Sequence, residues 1–180
     1  MLQIDIPATE LFDEAKNQFI TVKATSLTLE HSLVSLSKWE SKWCKPFLGK
    51  DQKSTEEVID YIRCMTLTQN VDPNVYRALS NSNIEKIRNY IDSPMTATTF
   101  SKVDKRSSGR EIVTSELIYY WMISLGIPVE FQKWHLNRLL TLIRVCNIKN
   151  TPPKKMSQRE IMSRNAALNA ARRQELHSTG

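Results

Sequence analysis

The sequence predicts a mainly α protein: a compact helical domain with a small N-terminal β-hairpin and a projecting C-terminal arm, helical or disordered. Three observations predict it. Apolar residues recur at helical spacing in stretch after stretch of the middle and second half. Residues that cap helix N-termini stand just ahead of those stretches. Only 4 Gly and 7 Pro occur in 180 residues of which 41% are hydrophobic, a composition that argues against a loop-rich all-β fold. The expected divisions are a β-hairpin at 1–25, a helical domain at 26–153 and a basic arm at 154–180.

At the N-terminus Leu2, Ile4 and Ile6 alternate with polar residues. Leu11 and Phe12, a polar turn over 13–17, and Phe19 to Val22 then read as a hairpin. A lone hairpin is marginal in water, so it must pack on helices or pair with another chain. Residues 26–43 read as a helix with Leu29, Leu33, Leu36, Trp39 and Trp43 on one face. The Lys45-Pro46 pair ends it. Within that stretch His31 reads as a surface or cap-region histidine. Residues 53–66 form a further helix, opened by a capping box of Ser54 and Glu57 and carrying an inner stripe of Val58, Ile59, Ile62 and Met65. Asp72 with Pro73 starts a short helical turn. Ser82 and Glu85 suggest another capping box, ahead of Ile84, Ile87 and Ile91.

Residues 114–150 look like a helical hairpin on which the rest packs. Thr114 is a fair N-cap, Glu116 suits the first turn, and Trp121 and Met122 sit mid-helix. That helix is apolar nearly all round, Tyr119, Tyr120 and Ile123 included, which predicts burial on several faces. Gly126 stops it and Pro128 restarts the chain. A second helix follows, with Phe131, His135, Leu139, Ile143 and Cys146 as its apolar stripe and Lys133, Asn137, Thr141 and Arg144 as its polar face. Pro152 and Pro153 forbid its continuation.

Two segments stand apart. Residues 93–113 lack helical periodicity apart from a candidate strand at 96–100, and Lys102, Lys105, Arg106 and Arg110 make their second half basic. A connection this long is usually functional or mobile. The last stretch, Ala-rich and charged, opens with Ser157 and Glu160 as a capping box. It carries Arg159, Arg164, Arg172 and Arg173 with only a thin apolar stripe of Ile161, Met162, Leu168 and Leu176. These eight basic residues are the candidate partner-binding set.

Chemistry is mostly excluded. Cys44, Cys64 and Cys146 are far apart with no CxxC pair, and the three His are scattered, so a zinc site and a disulfide framework are not expected. There is no GxSxG, HExxH, paired-carboxylate, Walker or dinucleotide pattern. No enzyme activity, cofactor or metal is expected. No apolar run approaches the roughly 20 residues needed to span a bilayer, and no signal peptide is seen, so no membrane partner is expected. The formal net charge of +6 permits nucleic acid or another acidic partner without requiring one. Gln132, Lys133, Asn137 and Arg138 suggest a recognition helix, but the helix before them is too apolar to lie across a phosphate backbone.

The wording of several stretches carries a resemblance. LEHSLVSLSKWESKW with KPFLGKD, then TEEVIDYIRCMTLTQNVDPNVY, SELIYYWMISLGIPVEFQKWHLNRLLTLIRVCNIKN and RNAALNAARRQEL, resembles small proteins encoded in the tail gene clusters of tailed bacteriophages. It covers most of residues 9–180. The resemblance implies a tail assembly chaperone, or a related tail or virion component, that acts by binding and has no active site. The implied partners are the tape-measure protein and tail tube subunits, with a homo-oligomer as a further expectation. The implied location is the host cytoplasm during assembly, or the virion. The alternative expectation is a basic helical nucleic-acid-binding or DNA-packaging accessory protein.

Overall fold

Alternation of Leu2, Ile4 and Ile6 with polar neighbours makes one face of the first strand apolar, and the chain buries it. The structure, a computed structural model, describes residues 1–13, 17–100, 112–151 and 157–176. Four short strands open it: β1 (Leu2–Ile6), β2 (Thr9–Asp13), β3 (Gln18–Val22) and β4 (Thr25–Leu29). β1 pairs antiparallel with β4, from Leu2 opposite Leu29 to Ile6 opposite Thr25, and β2 pairs with β3, from Thr9 opposite Val22 to Asp13 opposite Gln18. Both ladders share one register. They form a single long hairpin, interrupted where Pro7 offers no N–H to the ladder. Ile4, Ile6, Leu27 and Leu29 are buried on one face, and Val22, beyond the interruption, is buried in the same cluster.

The helices follow as α1 (Leu33–Trp43), α2 (Thr55–Met65), a 3-10 turn (Pro73–Ala78), α3 (Asn81–Asp92), α4 (Ser115–Ser124), a second 3-10 turn (Val129–Lys133), α5 (Leu136–Asn150) and α6 (Gln158–Glu175). The chain is mainly α. It divides into two compact units, Met1–Asn147 and Ile148–Gly180.

Several expectations need correction. The helix expected over 26–43 is a strand and then a shorter helix. Thr25, Ser26, Leu27, Thr28 and Leu29 alternate at period two, and Ser32 caps α1 by accepting from the Ser35 N–H. Leu29 and Leu33 are four apart, so a strand residue mimicked the helical stripe. The hairpin accordingly runs past residue 25. In α2 the Ser54–Glu57 capping box is present, but Val58 is exposed while Glu57 and Asp60 are buried. Each buried carboxylate has partners: Lys45 Nζ lies 2.8 Å from Glu57, and Asp60 accepts from Lys42 and from Trp43 Nε1. α3 starts one turn's fraction early, capped by Ser80 instead of Ser82. Residues 96–100 form no strand.

The expected second helix of 114–150 is divided. Pro128 opens a 3-10 turn, Trp134 is extended, and His135 forms an isolated antiparallel bridge with Ser32 before α5 begins. Phe131 therefore belongs to the turn and not to the α5 stripe. α4 is one-sided: Ile118 and Met122 are buried, but Tyr120 is 63% and Ile123 79% exposed. Trp121 is only partly buried.

Two hydrophobic clusters make the core of the first unit. One joins the hairpin to Trp39, Tyr61, Ile62, Met65, Val75, Ile87 and Tyr90. The other joins Leu33 and Leu36 to Ile118, Met122, Leu136, Leu139 and Ile143. α1 supplies side chains to both, so it, and not the 114–150 stretch expected from sequence, is the shared wall. Leu36→Ala is therefore expected to lower stability by about 2–5 kcal/mol in chemical denaturation. Trp121→Ala, at a half-covered position, is expected to cost about 1–3 kcal/mol. The reverse ranking would return the central place to α4.

Candidate functional site

The eight basic residues singled out from sequence do not all fall within the described chain. Lys102, Lys105, Arg106 and Arg110 lie outside the described residues. Arg159, Arg164, Arg172 and Arg173 are all exposed on α6. That 18-residue helix is exposed along its described length and turns Ile161, Met162 and Leu168 to solvent as well, and Leu176, just past its end, is exposed too. Spacing brings Arg172 and Arg173 to its last turn, where the helix dipole favours cations.

Apolar exposure forms the second candidate feature. Tyr120 and Ile123 are three residues apart and share the outer face of α4. Val129, just beyond, is exposed too. At the far end of the hairpin Phe12 and Phe19 face each other across the β2–β3 pair, ring centroids 5.2 Å apart, with Phe19 70% exposed. Sequence periodicity had assigned α4's outer side chains to the core. Nothing in a one-helix pattern reveals that only one side finds a neighbour.

A third feature lies inside. His31, expected at the surface, is 2% exposed. It stands just before the α1 cap, where β4, α2 and the start of α5 converge. Its Nδ1 and the Tyr61 hydroxyl are 2.6 Å apart and share a hydrogen bond, and its carbonyl accepts from the Leu136 N–H at 2.7 Å. The His135 ring packs edge-on against it, centroids 5.1 Å apart, and against Tyr90. His135 Nε2 lies 3.0 Å from the Tyr90 carbonyl. A carbonyl only accepts, so Nε2 carries the proton and Nδ1 keeps a lone pair. That Nδ1 is buried without a partner. The Tyr90 hydroxyl donates to Glu30 at 2.8 Å, and the Met1 amino group lies 3.1 Å from the other Glu30 oxygen.

Burial, helped by the neighbouring His135, holds His31 far below the ordinary histidine value, at about 3. Burial lowers His135 also, although its bond to the Tyr90 carbonyl works the other way. Burial pushes the Tyr61 and Tyr90 hydroxyls above their usual range. All four rings are thus neutral at pH 7. Two neutral histidines and two un-ionised tyrosines around one carboxylate offer hydrogen bonds that position backbone, with no activated nucleophile among them. No group of three or more His, Cys, Asp or Glu side chains is placed to hold a metal ion among the described residues. The two histidines are more than a hundred positions apart in the chain, which is why sequence spacing missed the pair.

No helix among the described residues is long and apolar enough to cross a membrane. Comparison with protein-family models, with curated proteins and with solved structures gives no match to the chain.

The histidine pair predicts a pH response. A buried histidine with a depressed folded value stabilises fully above its unfolded value, near 6.5, and loses that contribution as pH falls toward the folded value. His31 alone gives a slope of up to about 1.4 kcal/mol per pH unit below pH 6.5. Urea denaturation at pH 7.5, 6 and 5 measures it. Most carboxylates are still ionised in that window, so the slope belongs to the histidines. His31→Leu is expected to flatten it, and an unchanged slope would place the proton uptake elsewhere.

Proposed function

We propose that this chain is a non-enzymatic bacteriophage tail-assembly protein. It acts as a chaperone that binds the helical tape-measure protein, or as a structural part of the tail. The resemblance of its phrasing to tail-cluster proteins gives the direction. The single structural observation in support is the outer face of α4, where Tyr120 and Ile123 stand in solvent although the same helix buries Ile118 and Met122. Exposed apolar patches mark interaction sites more often than chance. An amphipathic helical client buries its apolar stripe against such a face. The proposed partners are the tape-measure protein and tail tube subunits, with a second copy of the chain as a further partner. The proposed setting is the host cytoplasm during assembly, with residence in the virion if the protein is structural.

In this reading the last segment projects as an arm that orders on a partner. Its helix, α6, is exposed and basic, and it lies in a separate compact unit. A second reading rests on the same arginines. Arg159, Arg172 and Arg173, with Lys102, Lys105, Arg106 and Arg110, suit a phosphate backbone and support a nucleic-acid-binding or packaging accessory protein.

Co-expression tests the first reading. The tape-measure protein is expected to stay soluble and co-purify with the wild-type chain, and a Tyr120→Ser, Ile123→Asp double substitution is expected to reduce recovery about tenfold without unfolding the protein. A tape measure that stays insoluble and never co-purifies ends the chaperone reading. Removal of everything after Lys155 is expected to leave the denaturation midpoint nearly unchanged while impairing assembly. For the second reading, a salt-sensitive gel shift abolished by Ala at Lys102, Lys105, Arg106 and Arg110 is the required result.

A further inference from the structure

Beside the junction of β4, α1 and α2 lies a cleft of about 320 Å³ lined mainly by apolar surface. Val34, Met65 and Leu67 form its apolar walls, with Cys64, Glu30 and two lysines at its edges. Lys38 comes from α1 and Lys133 from the 3-10 turn before α5, so the elements that make the fold's central junction bring them to one cavity. Both lysines are exposed, and neither is paired with a carboxylate among the described residues. The one carboxylate at the cleft cannot serve them: Glu30 accepts from the Tyr90 hydroxyl on one oxygen and pairs with the Met1 amine on the other. The cleft is therefore lined mainly by apolar surface, holds one carboxylate whose charge the Met1 amine already meets, and carries two lysines without a counterion among the described residues.

We infer that this cleft is a docking site for an acidic–apolar segment of a partner protein, one bulky aliphatic or aromatic side chain filling the cavity and an adjacent Asp or Glu meeting Lys38 and Lys133. The volume lies at the lower end of ligand-binding cavities, which suits one or two side chains better than a cofactor. Charge at the rim selects the segment more than it tightens it, since exposed ion pairs contribute little. The site is separate from the outer face of α4, and it stands whether or not the tail-assembly reading holds.

Cys64 gives the experiment an internal reporter. Its thiol is half-buried at the cleft, while Cys44 is exposed and elsewhere. The probe is an acetylated, amidated peptide Ser-Glu-Leu-Phe-Glu-Ser, set against the same peptide with both Glu replaced by Gln, and against decanoate. Alkylation by iodoacetamide is followed at each cysteine by mass spectrometry of the intact folded chain after digestion. The acidic peptide is expected to slow modification of Cys64 in a saturable way and leave Cys44 unchanged. The Gln peptide is expected to need about five to ten times more for the same protection, the range of one or two exposed charge pairs. A Lys38→Glu, Lys133→Glu protein, both positions being at the surface, is expected to lose the preference for the acidic peptide while keeping its denaturation midpoint. Equal protection by both peptides, equal slowing at Cys44, or an acidic preference that survives the double substitution overturns the proposal. Protection by decanoate without protection by the peptide also overturns it, by making the cleft a small-molecule site.

Discussion

Two polar clips fix α1, and the rest of the first unit depends on where that helix lies. At its N-terminal end the His31 carbonyl accepts from Leu136, and Ser32 bridges His135. Near its C-terminal end the buried Glu40 carboxylate accepts from the Phe47 N–H at 2.8 Å and from the Ser115 N–H at 2.7 Å. Ser115 opens α4, so Glu40 places a negative charge at a helix N-terminus, where the dipole and unsatisfied N–H groups welcome it. The start of α5 and the start of α4 are thereby tied to opposite ends of the same helix. Hydrophobic contact alone is non-directional. These hydrogen bonds supply the alignment that lets Leu33 and Leu36 serve one cluster while Trp39 serves the other.

The same logic explains the aromatic corner after α1. Trp39 Nε1 donates to the Glu57 carbonyl at 2.9 Å, Trp43 Nε1 donates to Asp60, and Phe47 stacks on Tyr61 with centroids 3.8 Å apart. Indole rings bring a large apolar area but require a partner for the N–H. Both partners come from α2. Hydrogen bonds from Lys45 and from the Ser54 backbone hold the Glu57 carboxyl below its ordinary range. At Asp60 burial opposes ionisation, but the bonds from Lys42 and Trp43 win and its value is lowered. A face of α2 that looks too acidic to be buried is thus the face that packs. Asn137 acts similarly at the opposite side, its amide donating to the Ile91 and Ser93 carbonyls where α3 ends without a following turn of helix.

Local chemistry made much of this legible beforehand. Ser54 with Glu57, Asp72 with Pro73, Thr114 and Gly126 each act through neighbours a few residues away, and each stands where sequence placed it. What escaped was long-range. Leu29 looks helical beside Leu33 until its partner in β1 is known. Val58 looks buried until Lys45, Lys42 and Trp43 bring Glu57 and Asp60 inward instead. Tyr120 and Ile123 look like core because a one-dimensional pattern records hydrophobicity but not the number of neighbours available. The candidate site divides in the same way. Arginines of α6 are visible as a charge pattern, whereas the pairing of His31 with His135 and of Lys38 with Lys133 exists only after the chain has crossed itself.

The Glu40 clip also bears on the order in which the chain folds. Its two partners, Glu40 and Ser115, are 75 residues apart. Closing so long a loop carries an entropic cost that must be met before the bond returns anything. The first cluster draws on residues no later than Ile91, so it is able to form from shorter loops. The second has to wait for α4 and α5 to reach α1. Until the clip closes, Leu33 and Leu36 stand uncovered along a half-built wall. On a ribosome, where the N-terminal part emerges first, that interval lasts as long as synthesis of the remaining residues takes. The distance along the chain from α1 to α4 and α5 thus sets how long the nascent chain exposes an apolar surface, and with it the chain's own exposure to aggregation.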